Sequence, residues 1–246
     1  MSSIGVLLLA ATATALATGL GAIPVFYLGG RAATLRPLLL GVAAGVMGVA
    51  SVAGLILPGL DQGSTASVAA GAAIGAGFLL IARRLLEARE RHLSRVRSES
   101  LTTSILVFVV LFVHSLPEGF AIGTAYASDT AGLGLFVILA IGIQNVPEGT
   151  SVAIPMAVAG FSRARQFWAA VATSAPQPIG ALLSYLLVKE ITALLSFSFG
   201  FAAGAMLALI ATELLPQAWR GNPEGCLAGL AAGAAVMLVI SFFLGV

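Results

Sequence analysis

Two short polar clusters of one design lie inside apolar stretches of this 246-residue chain. The first, at 114–119, reads HSLPEG, and the second, at 144–149, reads QNVPEG, so the Pro-Glu-Gly frame returns 30 residues later. A charged carboxylate in the middle of a membrane-spanning helix costs roughly 2.5 to 3.5 kcal/mol on insertion scales, so a segment that keeps one usually has a use for it. Glu118 and Glu148, at matching depth in two segments, therefore indicate a functional site.

The spacing within each cluster predicts a set of metal ligands. His114 precedes Glu118 by four residues, and Gln144 precedes Glu148 by four, so each pair shares one face of a helix. Two carboxylates, one imidazole and one amide oxygen make an oxygen and nitrogen ligand set with two negative charges, which would neutralise a divalent cation. The sequence thus predicts a divalent metal site formed by these four side chains.

A proline in each cluster interrupts the helix that carries it. Pro117 and Pro147 have no N–H group, so the carbonyls of Val113 and Ile143 lose their α-helical partners and each helix is expected to kink. Interrupted helices at corresponding positions of two repeats point to a substrate site near the middle of the membrane. This pattern is typical of a transporter.

The composition places the whole chain in a membrane. Hydrophobic residues make up 59% of it, charged residues only 9%, and the mean hydropathy is +1.05. Soluble globular domains carry about 25% charged residues, so we predict a polytopic membrane protein. The lipid bilayer is then an expected partner, while no nucleic acid and no prosthetic group are expected.

Eight apolar runs reach the length of about 20 residues that a membrane-spanning helix needs. They lie at roughly 4–29, 37–60, 65–86, 102–127, 131–160, 166–188, 191–216 and 225–246. The first run has no positively charged residue before it and is too long for a signal peptide, so we expect it to be retained. The predicted fold is all-α, with eight transmembrane helices in one domain over 1–246 and a polar loop at about 87–101.

The basic residues predict the orientation. Eleven of the twelve Lys and Arg residues fall in or beside alternate loops, and Lys189 is the exception. The eleven are Arg31, Arg36, Arg83, Arg84, Arg89, Arg91, Arg95, Arg97, Arg163, Arg165 and Arg220. Because loops rich in Lys and Arg stay in the cytoplasm, we expect a multi-pass protein of the cytoplasmic membrane with both termini outside the cell.

The HSLPEG and QNVPEG clusters resemble the fourth- and fifth-helix signatures of the ZIP (Zrt-/Irt-like) divalent metal transporters, in particular the prokaryotic branch. The resemblance implies a 3+2+3 arrangement with an inverted repeat, a homodimer, and import of metal by alternating access. Zinc is the family's default substrate. Iron, manganese, cobalt and cadmium ions remain open, because oxygen and nitrogen ligands accept all of them.

The same resemblance adds three residues. Met47 resembles a thioether position that lies near the metal in relatives. Glu213 resembles the glutamate of the seventh helix, and we place it on an exit path because it lies near the cytoplasmic end of its span. Gln177, between two prolines, occupies what looks like the family's glutamate position in the sixth helix.

The chain departs from the family pattern at positions that build a second metal site in prokaryotic relatives. Relatives often have acidic side chains among these positions, where this chain has the uncharged residues Ser115, Asn145 and Gln177. These three side chains offer oxygens without adding charge, and two glutamates balance only one divalent ion. We therefore expect a mononuclear site, with the three residues lining the path or binding a second ion weakly.

Two other functions are compatible with parts of the pattern. A membrane metal sensor or receptor would bind metal without net transport. An intramembrane hydrolase would need His114 and Ser115 as a catalytic pair, but adjacent residues on a helix diverge by about 100°. The chain also has no H-E-x-x-H zinc-protease motif. We therefore expect a transporter and not an enzyme.

Overall fold

The protein is described by a computed structural model over residues 3–93, 99–128 and 130–246, without the side chains of 30, 86–93 and 99–107. Within these ranges the chain is helical and contains no β-strand. The predicted polar loop at about 87–101 overlaps residues 94–98, which lie outside the described residues. The helix before it extends to Leu93, and the helix after it begins at Glu99.

Eight helical spans are long and apolar enough to cross a membrane, which confirms the predicted all-α fold. Spans 1 to 8, in chain order, cover Ser3–Leu28, Arg31–Asp61, Thr65–Leu85, Phe108–Ala127, Leu133–Val158, Arg163–Glu190, Thr192–Gly221 and Pro223–Leu244. Spans 4 and 5 carry the two polar clusters, and each is helical through its proline.

Irregular turns recur at related places in spans 2 and 7. Each span contains one π-helical turn of five residues, Val52–Ile56 in span 2 and Ile210–Leu214 in span 7. Each turn is followed directly by Leu-Pro, and a proline inside a helix removes an α-helical hydrogen bond. Such wide turns are frequent at functional sites. The matched position of the two turns supports the inverted repeat.

Close glycine contacts join span 2 to span 8 and span 3 to span 7. A Cβ atom at Gly45 would collide with the carbonyl of Leu230 in span 8, and one at Gly75 would collide with the carbonyl of Phe201 in span 7. Small residues let helix backbones approach in this way. Inversion of the repeat turns span 2 into span 7 and span 8 into span 3, so the two contacts are copies of each other.

Close glycine contacts also join the two polar clusters to spans 1 and 6. Gly119 of span 4 lies against the carbonyl of Gln177, and Gly149 of span 5 lies against the carbonyl of Thr18. Spans 1 and 6 are both discontinuous, with breaks at Gly21 and at 174–175. Each cluster therefore packs against a broken helix, the first against span 6 and the second against span 1.

The site lies in the interior of the bundle. In the most apolar window of spans 4 and 5, 61% of residues are buried, against 22% in span 3 and 17% in span 8. Spans 3 and 8 are therefore peripheral, while spans 4 and 5 are enclosed by their neighbours.

The glycine contacts predict a sharp difference between two neighbouring substitutions. Gly75→Ala places a methyl group against the Phe201 backbone and should destabilise the protein by about 1 to 3 kcal/mol. Gly77→Ala, in the same helix, meets no atom within 4 Å and should be neutral or slightly stabilising. Thermal unfolding in detergent compares the two variants. Equal melting temperatures would contradict the proposed contact between spans 3 and 7.

Candidate metal centre

The four side chains predicted as metal ligands are all buried. His114 is 3% exposed, Glu118 1%, Gln144 0% and Glu148 2%. Several of their polar atoms meet no hydrogen-bonding partner of acceptable geometry, namely both ring nitrogens of His114, Oε1 of Gln144 and Oε1 of Glu148. Leaving a buried polar group unpaired costs about 1 to 3 kcal/mol, so these atoms are suited to an additional partner. Imidazole nitrogen with amide and carboxylate oxygen is a donor set that fits a divalent cation.

Glu118 is held by two amide groups, one on each oxygen. Gln144 Nε2 donates to Oε1 of Glu118 at 2.6 Å, and Gln177 Nε2 donates to Oε2 at 2.7 Å. Hydrogen bonds to an ionised carboxylate are stronger than those between neutral groups. The Gln144 bond directs that residue's N–H group at Glu118 and leaves its amide oxygen without a partner.

A second layer of amides and hydroxyls ties spans 1, 5 and 6 to this carboxylate. Asn145 Nδ2 donates to the Thr14 carbonyl at 2.7 Å and to Gln177 Oε1 at 3.2 Å. The hydroxyl of Thr14 also donates to Gln177 Oε1, at 2.9 Å. Asn145 and Gln177 therefore orient the group that donates to Glu118, and neither adds a charge.

Glu148 and His114 lie outside that hydrogen-bond network. The carboxyl groups of Glu148 and Glu118 are close enough to repel each other when both are ionised. In the described ranges, however, no three side chains among His, Cys, Asp and Glu form a group able to hold a metal ion. The structure thus assembles Glu118 with Gln144, Gln177 and Asn145, and it does not bring His114, Glu118 and Glu148 together as one three-ligand cluster.

Met47 and Ser115 have ordinary structural surroundings. Met47 is fully buried in the main apolar core. The hydroxyl of Ser115 donates to the Leu111 carbonyl at 2.9 Å, and its oxygen lies beside the Glu118 carboxyl. These contacts place Ser115 at the predicted site, while Met47 has a packing role in this conformation.

Glu213 lies away from the central amide network and has charged and polar neighbours of its own. Its Oε1 is 3.0 Å from Nε of Arg83, and its Oε2 accepts from Nε2 of Gln217 at 2.8 Å. Glu213 and His114 line the same small cavity of about 10 Å³, which is close to the volume that one water molecule needs. His114 and Glu213 therefore lie on the wall of one cavity.

Sequence reasoning missed two of these partners. Arg83 belongs, on sequence alone, to the basic residues that indicate orientation, although a glutamate in an apolar span favours a basic neighbour. Thr14 gives only a weak signal in the sequence, because one hydroxyl in an apolar helix commonly bonds to its own helix, as that of Thr14 does to the Ala11 carbonyl. The position of Glu213 near the end of span 7, on the side of the basic loops, could have indicated an arginine partner.

The fold and the buried cluster define a class: a multi-pass helical membrane protein with a polar site enclosed by its central helices. The model of the ZIP zinc transporter family matches residues 86–241 of this chain. The zinc transporter GufA of Myxococcus xanthus is 33% identical over 242 residues, covering 93% of this chain and 95% of GufA. The zinc transporter ZIPB of Bordetella bronchiseptica is 34% identical over 261 aligned positions, covering 98% of this chain and 82% of ZIPB.

A protein of Arabidopsis thaliana that is named as a zinc transporter is 34% identical over 224 residues, and the chain spans 35% of its length. The chain belongs to the ZIP family of zinc transporters, which confirms the resemblance seen in the HSLPEG and QNVPEG clusters. Members of this family are transporters and not enzymes, so membership supports metal-ion transport.

Proposed function

We propose that this protein imports zinc across the cytoplasmic membrane by alternating access, with the ion bound between spans 4 and 5. The observation that carries the proposal is that His114, Gln144 and Glu148 each bury an atom able to bind metal that lacks a hydrogen-bonding partner, with Glu148 near the Glu118 carboxyl group. Zinc is the metal named for the relatives GufA and ZIPB. The same donors accept iron, manganese, cobalt and cadmium ions.

The side-chain amides around Glu118 stabilise its charge until the ion binds. Without metal, the N–H donors of Gln144 and Gln177 compensate the buried carboxylate. An entering cation compensates the charge of Glu118 and Glu148 together, so it removes their mutual repulsion. Rotation of the Gln144 amide would then turn its oxygen, which lacks a partner, toward the ion. Loading therefore exchanges hydrogen bonds of Glu118 for metal–ligand bonds and supplies Glu148 with the positive partner that it lacks among the described residues.

Protons compete with metal for the same atoms. A protonated imidazole or carboxylic acid cannot ligate a cation, so binding releases any proton that His114, Glu118 or Glu148 carries. Acidification on the side of entry should weaken uptake, unless a proton gradient itself drives the transport.

Alternating access uses the two glycine-joined helix pairs as rigid units. Spans 2 and 8 form one pair and spans 3 and 7 the other, and the repeat relates the pairs by inversion. Rocking of these pairs against spans 1, 4, 5 and 6 would expose the site to each side in turn. With the basic loops in the cytoplasm, both termini lie outside and release is inward. We also propose that the protein forms a homodimer, as the family resemblance implies.

The site holds one metal ion at a time. The charge of Glu118 and Glu148 balances one divalent cation, and the neighbouring Asn145 and Gln177 are neutral donors to their surroundings. A second ion would leave about two uncompensated charges in a low dielectric, which is heavily disfavoured. Ser115, Asn145 and Gln177 therefore line the path of the ion.

Transport should depend on both carboxylates. In proteoliposomes we expect saturable ⁶⁵Zn²⁺ uptake by the unmodified protein and at least about a hundredfold loss in Glu118→Ala and in Glu148→Ala, since each removes half of the compensating charge. Glu190→Ala, at an exposed position near the end of span 6, serves as the control and should retain uptake. Tight zinc binding without flux in the unmodified protein would contradict transport and favour a metal sensor.

The number of bound ions should change with the charge at position 177. Gln177→Glu replaces an N–H donor 2.7 Å from Glu118 with a carboxylate, so two like charges face each other until a cation lies between them. Equilibrium dialysis should give about one zinc ion per unmodified chain and a second ion in the variant. Gln166→Glu, at another buried glutamine, is the matched control. Two tightly bound ions in the unmodified chain would contradict the mononuclear site.

A further inference from the structure

Arg83 of span 3 contacts two oxygen atoms of span 7 with one guanidinium group. Its Nε lies 3.0 Å from Oε1 of Glu213, and its Nη1 donates to the carbonyl of Thr212 at 2.7 Å. A carboxylate and a backbone carbonyl that are adjacent in the chain thus share one cation. Both are oxygen ligands of the kind that divalent metal ions accept.

The local sequence explains why the Thr212 carbonyl is open to such a contact. Pro216, four residues later, has no N–H group and cannot donate the α-helical hydrogen bond to this carbonyl. Thr212 and Glu213 also both lie within the π-helical turn Ile210–Leu214. The turn therefore presents a backbone oxygen beside a carboxylate, and the guanidinium occupies that place.

The ion pair borders a small cavity that also reaches His114. Arg83, Thr212 and Glu213 line the same small cavity as His114 and Val113. The carbonyl of Val113 has no α-helical donor, because Pro117 lacks an N–H group. His114 precedes Glu118 by one helical turn. The Arg83 side chain is 32% exposed and that of Glu213 is 15% exposed, so the pair lies nearer the surface than the central ligands.

We propose that Arg83 is a tethered cation that displaces the departing metal ion from Glu213. The inference rests on the transport function proposed above. An ion that leaves His114 reaches Glu213 only while Arg83 is withdrawn, because two cations at one carboxylate repel each other. When the guanidinium returns to Glu213 and Thr212, it ejects the ion toward the cytoplasm. Arg83 thus prevents the ion from remaining bound at Glu213.

Removal of the tethered charge should slow release. In Arg83→Gln we expect kcat and KM for zinc uptake to fall together by about tenfold, with kcat/KM little changed, because retention of the product limits turnover. Equilibrium zinc affinity in detergent should rise by about the same factor. Arg83→Lys keeps a cation on the same helix and should restore both parameters. Arg84→Gln, at the exposed neighbouring position, should behave as the unmodified protein.

The double variant Arg83→Gln/Glu213→Gln identifies the atoms involved, since it should lose the gain in affinity. A lower kcat with unchanged KM and unchanged affinity in Arg83→Gln would overturn the proposal and make the pair a structural brace. Unchanged kinetics and affinity would overturn it as well. Absence of flux in the unmodified protein would refute the proposed transport, whereas the affinity comparison would still decide whether Arg83 competes with metal for Glu213.

Discussion

The central constraint on this molecule is the burial of carboxylates away from water. Glu118 is 1% exposed, and both of its oxygens accept from side-chain amides on other spans. A charge in such a place is stable only when its neighbours compensate it. The amide of Gln177 on span 6 is held in turn by the Thr14 hydroxyl of span 1, and Asn145 of span 5 donates to the Thr14 carbonyl. The glycine contacts of spans 4 and 5 bring the helices close enough for these bonds.

The scaffold is symmetric, but its polar groups are not. The π-helical turns of spans 2 and 7 correspond, and Leu55 occupies the fourth position of one where Glu213 occupies the fourth position of the other. Leu55 is fully buried, and the neighbouring Gly54 packs on the ring of Phe136. The turn in span 2 thus packs among apolar side chains, whereas the turn in span 7 carries an ion pair.

The sequence predicted the fold well because membrane insertion leaves a strong pattern of long apolar runs, and the eight spans agree closely with those of the structure. It also drew attention to Glu118 and Gln177, whose polar side chains are conspicuous among apolar residues and which the structure joins by a hydrogen bond. The hydrogen bond from Gln177 to Glu118 joins residues 59 positions apart along the chain. The ion pair of Arg83 with Glu213 joins residues 130 positions apart. Helical periodicity relates only neighbours along one span, so such contacts between spans were beyond its reach.

The most direct test of this account is the anomalous scattering of zinc in a crystal of the protein soaked with the metal. We expect one strong peak between spans 4 and 5, about 2.0 to 2.2 Å from carboxylate oxygens of Glu118 and Glu148 and from a ring nitrogen of His114. The amide of Gln144 should then present its oxygen to the ion. A zinc peak that touches neither glutamate, or two peaks of equal height sharing them, would contradict the account.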